Sequence, residues 1–195
     1  MILRKDQWPI AIAYVVSVLF FAMLFLARKN YEFVMYIVVI LLFGGLVLWS
    51  NKRYRYSNFT LWGLWIWAFL HMAGGGVRVG EKVLYGLILV PIVGEPYNIL
   101  KYDQVIHALG FFVTTLLAYE LLEPSLKDKP RWGSLGLILV AAGAGFGALN
   151  EVVEFLAVVI LPETGVGGYY NTGLDLIANL IGALIAVFVI RARSK

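Results

Sequence analysis

The sequence predicts an all-α, polytopic transmembrane bundle, a single transmembrane domain over residues 1–195, and three observations predict it. Hydrophobic residues fill 61% of the 195 positions and charged residues only 14%, whereas ordinary soluble domains carry about 25% charged residues. Mean hydropathy is +0.83; a water-soluble fold can hide one or two apolar helices, but not most of its length. Apolar runs recur at the roughly 20 residues that a helix needs to cross a bilayer core of about 30 Å. The prolines fall between these runs: Pro91, Pro96, Pro124, Pro130 and Pro162 mark connections. Pro9 stands in a first helical turn, where its missing N–H is tolerated.

Taken in order, the spans are residues 8–27, 33–49, 59–74, 104–122, 133–161 and 174–190. The third is short but carries Trp62, Trp65 and Trp67, which suit helix ends at the membrane interface. The fifth is long enough to cross with tilt. Residues 83–93, which follow Gly74-Gly75-Gly76, are apolar but too few to cross. They are expected to form a short re-entrant or interfacial segment between spans three and four. Gly143 and Gly147, and likewise Ala178, Gly182 and Ala186, have the small-residue spacing that lets helix backbones approach. The absence of cysteine removes disulfides, thiolate metal sites and cysteine nucleophiles. Residues 1–7 are mildly basic, yet the run behind them is of full span length and lacks a small-residue cleavage site, so no cleaved signal peptide is expected. A net charge of +4 gives no argument for nucleic acid.

Orientation follows from the basic residues. With six spans, one side holds eleven of them: Arg4, Lys5, Lys52, Arg53, Arg55, Lys127, Lys129, Arg131, Arg191, Arg193 and Lys195. The other holds five: Arg28, Lys29, Arg78, Lys82 and Lys101. The richer side is expected to be cytoplasmic, which puts both termini inside an inner (plasma) membrane.

Ionisable side chains within a span cost at least ~2.5–3.5 kcal/mol each on insertion scales, yet this chain keeps several. Asp103 and His107 open span four, one helical turn apart. Asn150, Glu151 and Glu154 lie within span five, and Asp175 and Asn179 open span six. His71 closes span three, and His71 and His107 are the chain's two histidines. Under the expected topology His107 lies about 6 Å deeper than Asp103, and Glu154 roughly 10 Å below the outer end of span five. All of these residues therefore share the outer half of the membrane, as one site opening to the extracytoplasmic side. Blander roles fit some of them. His71 suits an interfacial position, Asp175 the positive end of a helix dipole, and Asn150 and Asn179 interhelical hydrogen bonds. Glu120 and Glu123 are expected simply to face water.

Carboxylates with imidazole suit Zn, Mn, Fe or Mg, and Ca less well. Several carboxylates at low dielectric need a cation, shared protons or a basic neighbour. The expected ligands of one divalent ion are His107, Glu151, Glu154 and Asp175, with Asp103 and His71 as further candidates. Glu151 or Glu154 would serve as general base. Arg78, Lys82 and Lys101, with Asn150 and Asn179, are candidates for binding substrate. No P-loop, Gly-x-Ser-x-Gly elbow or His-Glu-x-x-His is present, nor a Lys/Arg/Ser-Gly-His signature like that of lipid-phosphate phosphatases. The function these residues suggest first is a metal-dependent membrane hydrolase acting on a lipid or lipid-linked envelope substrate. An ion- or proton-coupled transporter or flippase would use the same acids as a relay. A structural membrane protein would use them to lock its helices together.

The pieces His71-Met72-x-Gly74, Tyr102-Asp103-x-x-x-His107, Asn150-Glu151-x-x-Glu154 and Asp175-x-x-x-Asn179-x-x-Gly182 resemble the YjdF-type bacterial inner-membrane family, over residues 71 to about 186. The chain looks more distantly like the VanZ-like family, which is associated with glycopeptide-antibiotic tolerance and so implies an envelope role. The YjdF-type pattern tends to carry a second histidine where this chain has Gly76 and Val77, and an acid where it has Asn171. Those departures imply fewer ligands, and one metal rather than two.

Overall fold

Each of the six expected spans becomes a helix. In the computed structural model, which describes residues 3–126 and 130–194, there are six long helices: α1 (Trp8–Ala27), α2 (Tyr31–Tyr54), α3 (Asn58–Gly76), α4 (Tyr102–Leu122), α5 (Trp132–Ile160) and α6 (Tyr169–Arg193). Lys127, Lys129 and Lys195, which enter the charge bias, lie outside the described residues. The helix starts follow local chemistry. Pro9 occupies the first turn of α1. The Asn30 side chain accepts from the Phe33 N–H, and the Ser57 hydroxyl from the Thr60 N–H, capping α2 and α3. The Gln104 side-chain oxygen accepts from the N–H groups of Leu100 and Lys101 and holds the entry into α4.

Five of the six helices are long and apolar enough to cross a membrane, and α3 is the exception. Asn58, Thr60, three tryptophans, His71 and a glycine triplet lower its hydropathy, so the third expected span is a helix of nearly the right length with a more polar composition. Helix ends also run past the expected bounds. In particular α6 begins at Tyr169, not near residue 174, so Asp175 sits almost two turns inside the helix and is not a first-turn acid.

The apolar segment at 83–93 is no helix. It divides between strand β2 (Lys82–Val83), a 3-10 turn (Leu84–Gly86) and strand β3 (Ile88–Val93). β1 (Arg78–Val79) pairs antiparallel with β2, with Arg78 opposite Val83, around a turn whose Gly80 has a φ of 61°. β3 pairs antiparallel with β4 (Ile99–Lys101), Ile88 opposite Lys101 and Val93 opposite Ile99, with an irregular register between.

The chain divides into two compact units, Met1–Leu87 with Ala157–Gly165, and Ile88–Leu156 with Val166–Lys195. In the first, Phe21, Phe25 and Phe33 form an aromatic column, and Trp65 donates its indole N–H to Ser17 at 3.2 Å, tying α3 to α1. Buried Gln7 donates to the Tyr56 carbonyl and accepts from Asn51, closing the other end. The second unit is α4, most of α5, α6 and the β3–β4 hairpin. Its core joins Leu116, Ala118, Leu135, Leu139, Ala186 and Ile190.

Small residues set the helix spacing in the second unit. A side chain at Gly182 would overlap the carbonyl oxygen of Ala108, so α4 and α6 meet backbone to backbone there. A Cβ at Gly143 would collide with Thr115 and Ala183, and one at Gly147 would lie 2.8 Å from Asn179. Both glycine and alanine motifs expected from the sequence thus face helix contacts around the same three-helix core.

Candidate functional site

His107 stands on α4 one turn inside the helix start; α5 brings an acid to each of its ring nitrogens and α6 a carboxamide to one of them. On one side Nε2 lies 3.4 Å from Asp103 Oδ1 and 3.5 Å from Glu154 Oε1. On the other, Nδ1 lies 3.1 Å from Asn179 Oδ1 and 3.5 Å from Glu151 Oε1. Asp175 completes the set: one ligand atom each from His107, Glu151, Glu154 and Asp175 falls within 4.8 Å of the others. His107 and Glu151 are 7% and 8% exposed, and Asp175 and Asn179 are fully buried.

The helical period explains how each element contributes. Asp103 and His107 are one turn apart on α4, Asn150 and Glu154 on α5, and Asn171, Asp175 and Asn179 on successive turns of α6. Glycines at the crossing points let these polar faces approach. Gly147 on α5 leaves the room that Asn179 occupies, and Gly182 lets α6 lie against α4.

Carboxamides orient the acids. Asn150 donates to Glu154 Oε1 at 2.8 Å. Asn171 donates to Asp103 Oδ2 at 3.1 Å and also to Asp175 Oδ2, while its own oxygen accepts from Lys101 Nζ at 3.3 Å. Both oxygens of Glu151, Oδ1 of Asp175 and Nδ2 of Asn179 are buried without a hydrogen bond. Buried acceptors without a donor are expensive, and here they point into a volume already crowded by negative groups. Even a charged imidazolium would offset only one of the four carboxylates, and Lys101 reaches Asp103 and Asp175 through Asn171.

Of the residues singled out in the sequence, the fold therefore unites Asp103, His107, Asn150, Glu151, Glu154, Asp175 and Asn179, with Lys101 at their margin. Asn150 and Asn179 are engaged by Glu154 and His107. His71 lies in the first unit, where its Nδ1 pairs with the Tyr85 hydroxyl and its ring is flanked by Phe33, Tyr36, Trp67 and Tyr85. It is not among the four converging residues. Arg78 and Lys82 are exposed on the β1–β2 hairpin of the same unit. Asn171 was not among the expected site residues; its place one turn before Asp175 was the available signal.

A three-helix, acid-lined polar centre inside spanning-length helices is the feature against which kinship can be judged. A family model described as "Predicted membrane protein (DUF2238)" matches residues 8–195. The chain belongs to that family. The match covers all six long helices, so the DUF2238 family assignment extends to both units and to every residue of the polar centre. It supports a membrane protein without naming the YjdF-type or VanZ-like families. No curated protein and no solved structure matches the chain.

Proposed function

We propose that this chain is a metal-dependent membrane enzyme, a hydrolase of a lipid or lipid-linked envelope substrate. One divalent ion would be held by His107, Glu151, Glu154 and Asp175, with Asp103 beside them. The observation that carries this reading is the convergence of those four ligand atoms within 4.8 Å, with orphaned carboxylate oxygens among them. A divalent cation neutralises two carboxylates outright. Within the set Zn, Mn, Fe or Mg, the oxygen-rich, single-nitrogen donors favour Mg, Mn or Fe.

Bound there, the ion would polarise a phosphoryl or acyl oxygen of the substrate. Asn179 accepts from Nδ1–H and so fixes the imidazole with Nε2 turned toward Asp103 and Glu154, the usual role of an orienting acceptor behind a ligating histidine. Glu151 or Glu154 takes a proton from the attacking water as general base. Lys101, which reaches Asn171 at the margin of the cluster, meets an anionic head group. The excess of basic residues on one side supports cytoplasmic termini in an inner (plasma) membrane and a site opening outward.

A second reading rests on a different feature: both imidazole nitrogens face carboxylates. A doubly protonated His107 would then be the counter-ion, and the cluster a proton relay in a transporter or flippase, or a lock between helices.

Elemental analysis of detergent-purified protein, with melting curves of wild type and Glu154→Gln with and without chelator, separates the two. A bound metal adds RT ln(1 + [L]/Kd) to stability, about 2.7 kcal/mol at a hundredfold excess over Kd. Chelator should therefore lower the wild-type Tm, and Glu154→Gln should lose metal and melt lower. A wild type indifferent to chelator, with a variant at least as stable, would overturn the metal and leave the relay or the lock.

A further inference from the structure

The β3 strand reads Ile-Leu-Val-Pro-Ile-Val and holds no polar side chain, yet every one of its residues is exposed. Successive side chains on a strand point to opposite faces. The hairpin therefore offers apolar surface on both sides, and Ile92 is 62% exposed. An aqueous surface does not leave such an element uncovered without a reason.

Its position indicates what covers it. β4 ends at Lys101 and α4 starts at Tyr102 with no residue between, so the hairpin is fixed to one end of a spanning-length helix. Tyr97, in the hairpin turn, sets its ring edge-on to Tyr170 in the first turn of α6, with centroids 5.2 Å apart. Lys101 reaches Asn171 on the same turn. The hairpin thus sits at the shared end of α4 and α6, where Tyr97, Tyr102, Tyr169 and Tyr170 gather. Tyrosines concentrate in this way at the boundary between lipid and water.

The backbone decides the depth. A two-stranded hairpin has two open edges, and the hydrocarbon core offers nothing to their N–H and C=O groups. A re-entrant position in the core is therefore excluded for this element, while the head-group layer supplies water and phosphate partners. Pro91 also removes one N–H from β3.

We infer that the β3–β4 hairpin docks on the lipid surface itself. Its edges stay hydrated in the head-group layer while Leu89, Val90 and Ile92 reach the upper acyl chains. Because the same strand leads directly into α4, this contact fixes the depth of Asp103 and His107, the latter about 9 Å along the helix from Lys101. If the hydrolase reading above holds, a lipid is met at its head group and not along its tails; the docking itself does not depend on that reading.

The chain has no cysteine, so Leu89→Cys and Ile92→Cys can each carry an environment-sensitive fluorophore. In phosphatidylcholine–phosphatidylglycerol proteoliposomes, spin labels on the head group, high on the acyl chain, or near its methyl end would quench in turn. The two shallow labels should quench most, and Ile92→Asp should red-shift the Leu89 probe and weaken that quenching. Dominant quenching by the deep label would overturn the proposal in favour of core insertion. Silence toward all three labels would overturn it in favour of water or a covering protein. Metal content should be unchanged in every variant, which keeps this result separate from the fate of the metal centre.

Discussion

Asn179 shows how much a single carboxamide decides in this chain. It is fully buried, fixes His107 through Nδ1 at 3.1 Å, and fits only because α5 has glycine at 147. Asn179→Leu should cost about 1–3 kcal/mol, since it leaves a buried imidazole nitrogen without its nearest acceptor. If His107 ligates a metal, the same change should weaken metal affinity by about 10–100-fold; thermal melting and metal titration of one preparation read both effects. Tyr85→Phe makes the contrast. It removes the hydroxyl that pairs with His71 and should lower stability by about 1 kcal/mol with metal content unchanged. A loss of metal from Tyr85→Phe would return His71 to the ligand set. At this scale the sequence exposed the acids and histidines because each is costly in a span. It did not expose Asn171 as a site residue, because position 171 falls before the expected start of span six at 174 and its two carboxylate partners come from different helices.

Helix pairing is decided by glycines at particular turns. Gly182 lies against the Ala108 carbonyl, a neighbour that cannot rotate away, whereas nothing lies within 4 Å of a Cβ placed on Gly145. Gly182→Val should destabilise by about 3 kcal/mol or more, because α6 must move off α4, and should disturb the Asp103–His107–Asn179 geometry with it. Gly145→Ala should be neutral or gain up to about 1 kcal/mol from helix propensity. Denaturation of both variants in the same detergent tests the pair, and equal effects would mean that this crossing is looser than the contact requires. The small-residue spacing on α5 and α6 was legible because its period is helical. The hairpins were not, since an apolar run of eleven residues has no periodicity that separates a strand from a short helix.

For the whole molecule, the charge bias predicts a topology that labelling can check. Arg131→Cys should react only from the cytoplasmic side of sealed cells, and Thr164→Cys only from outside. The reverse pattern would invert the molecule and turn the polar centre toward the cytoplasm. The same bias would then need another explanation, since basic residues hold cytoplasmic loops through their interaction with insertion and membrane potential.

Composition and run length alone determined that this is a helical membrane protein, because burial in lipid demands long apolar segments whose backbones satisfy themselves. They also determined which side chains were out of place there. Tertiary structure decided which of those side chains meet. His107 lies 44 positions from Glu151 and 68 from Asp175, and only the close approach of α4, α5 and α6, at Gly143, Gly147 and Gly182, brings the three together. It also decided that His71, equally conspicuous in the sequence, has a tyrosine and a ring of aromatic side chains for company. The cost of burying a polar group is local and can be read along the chain, whereas its partner is set by how helices pack.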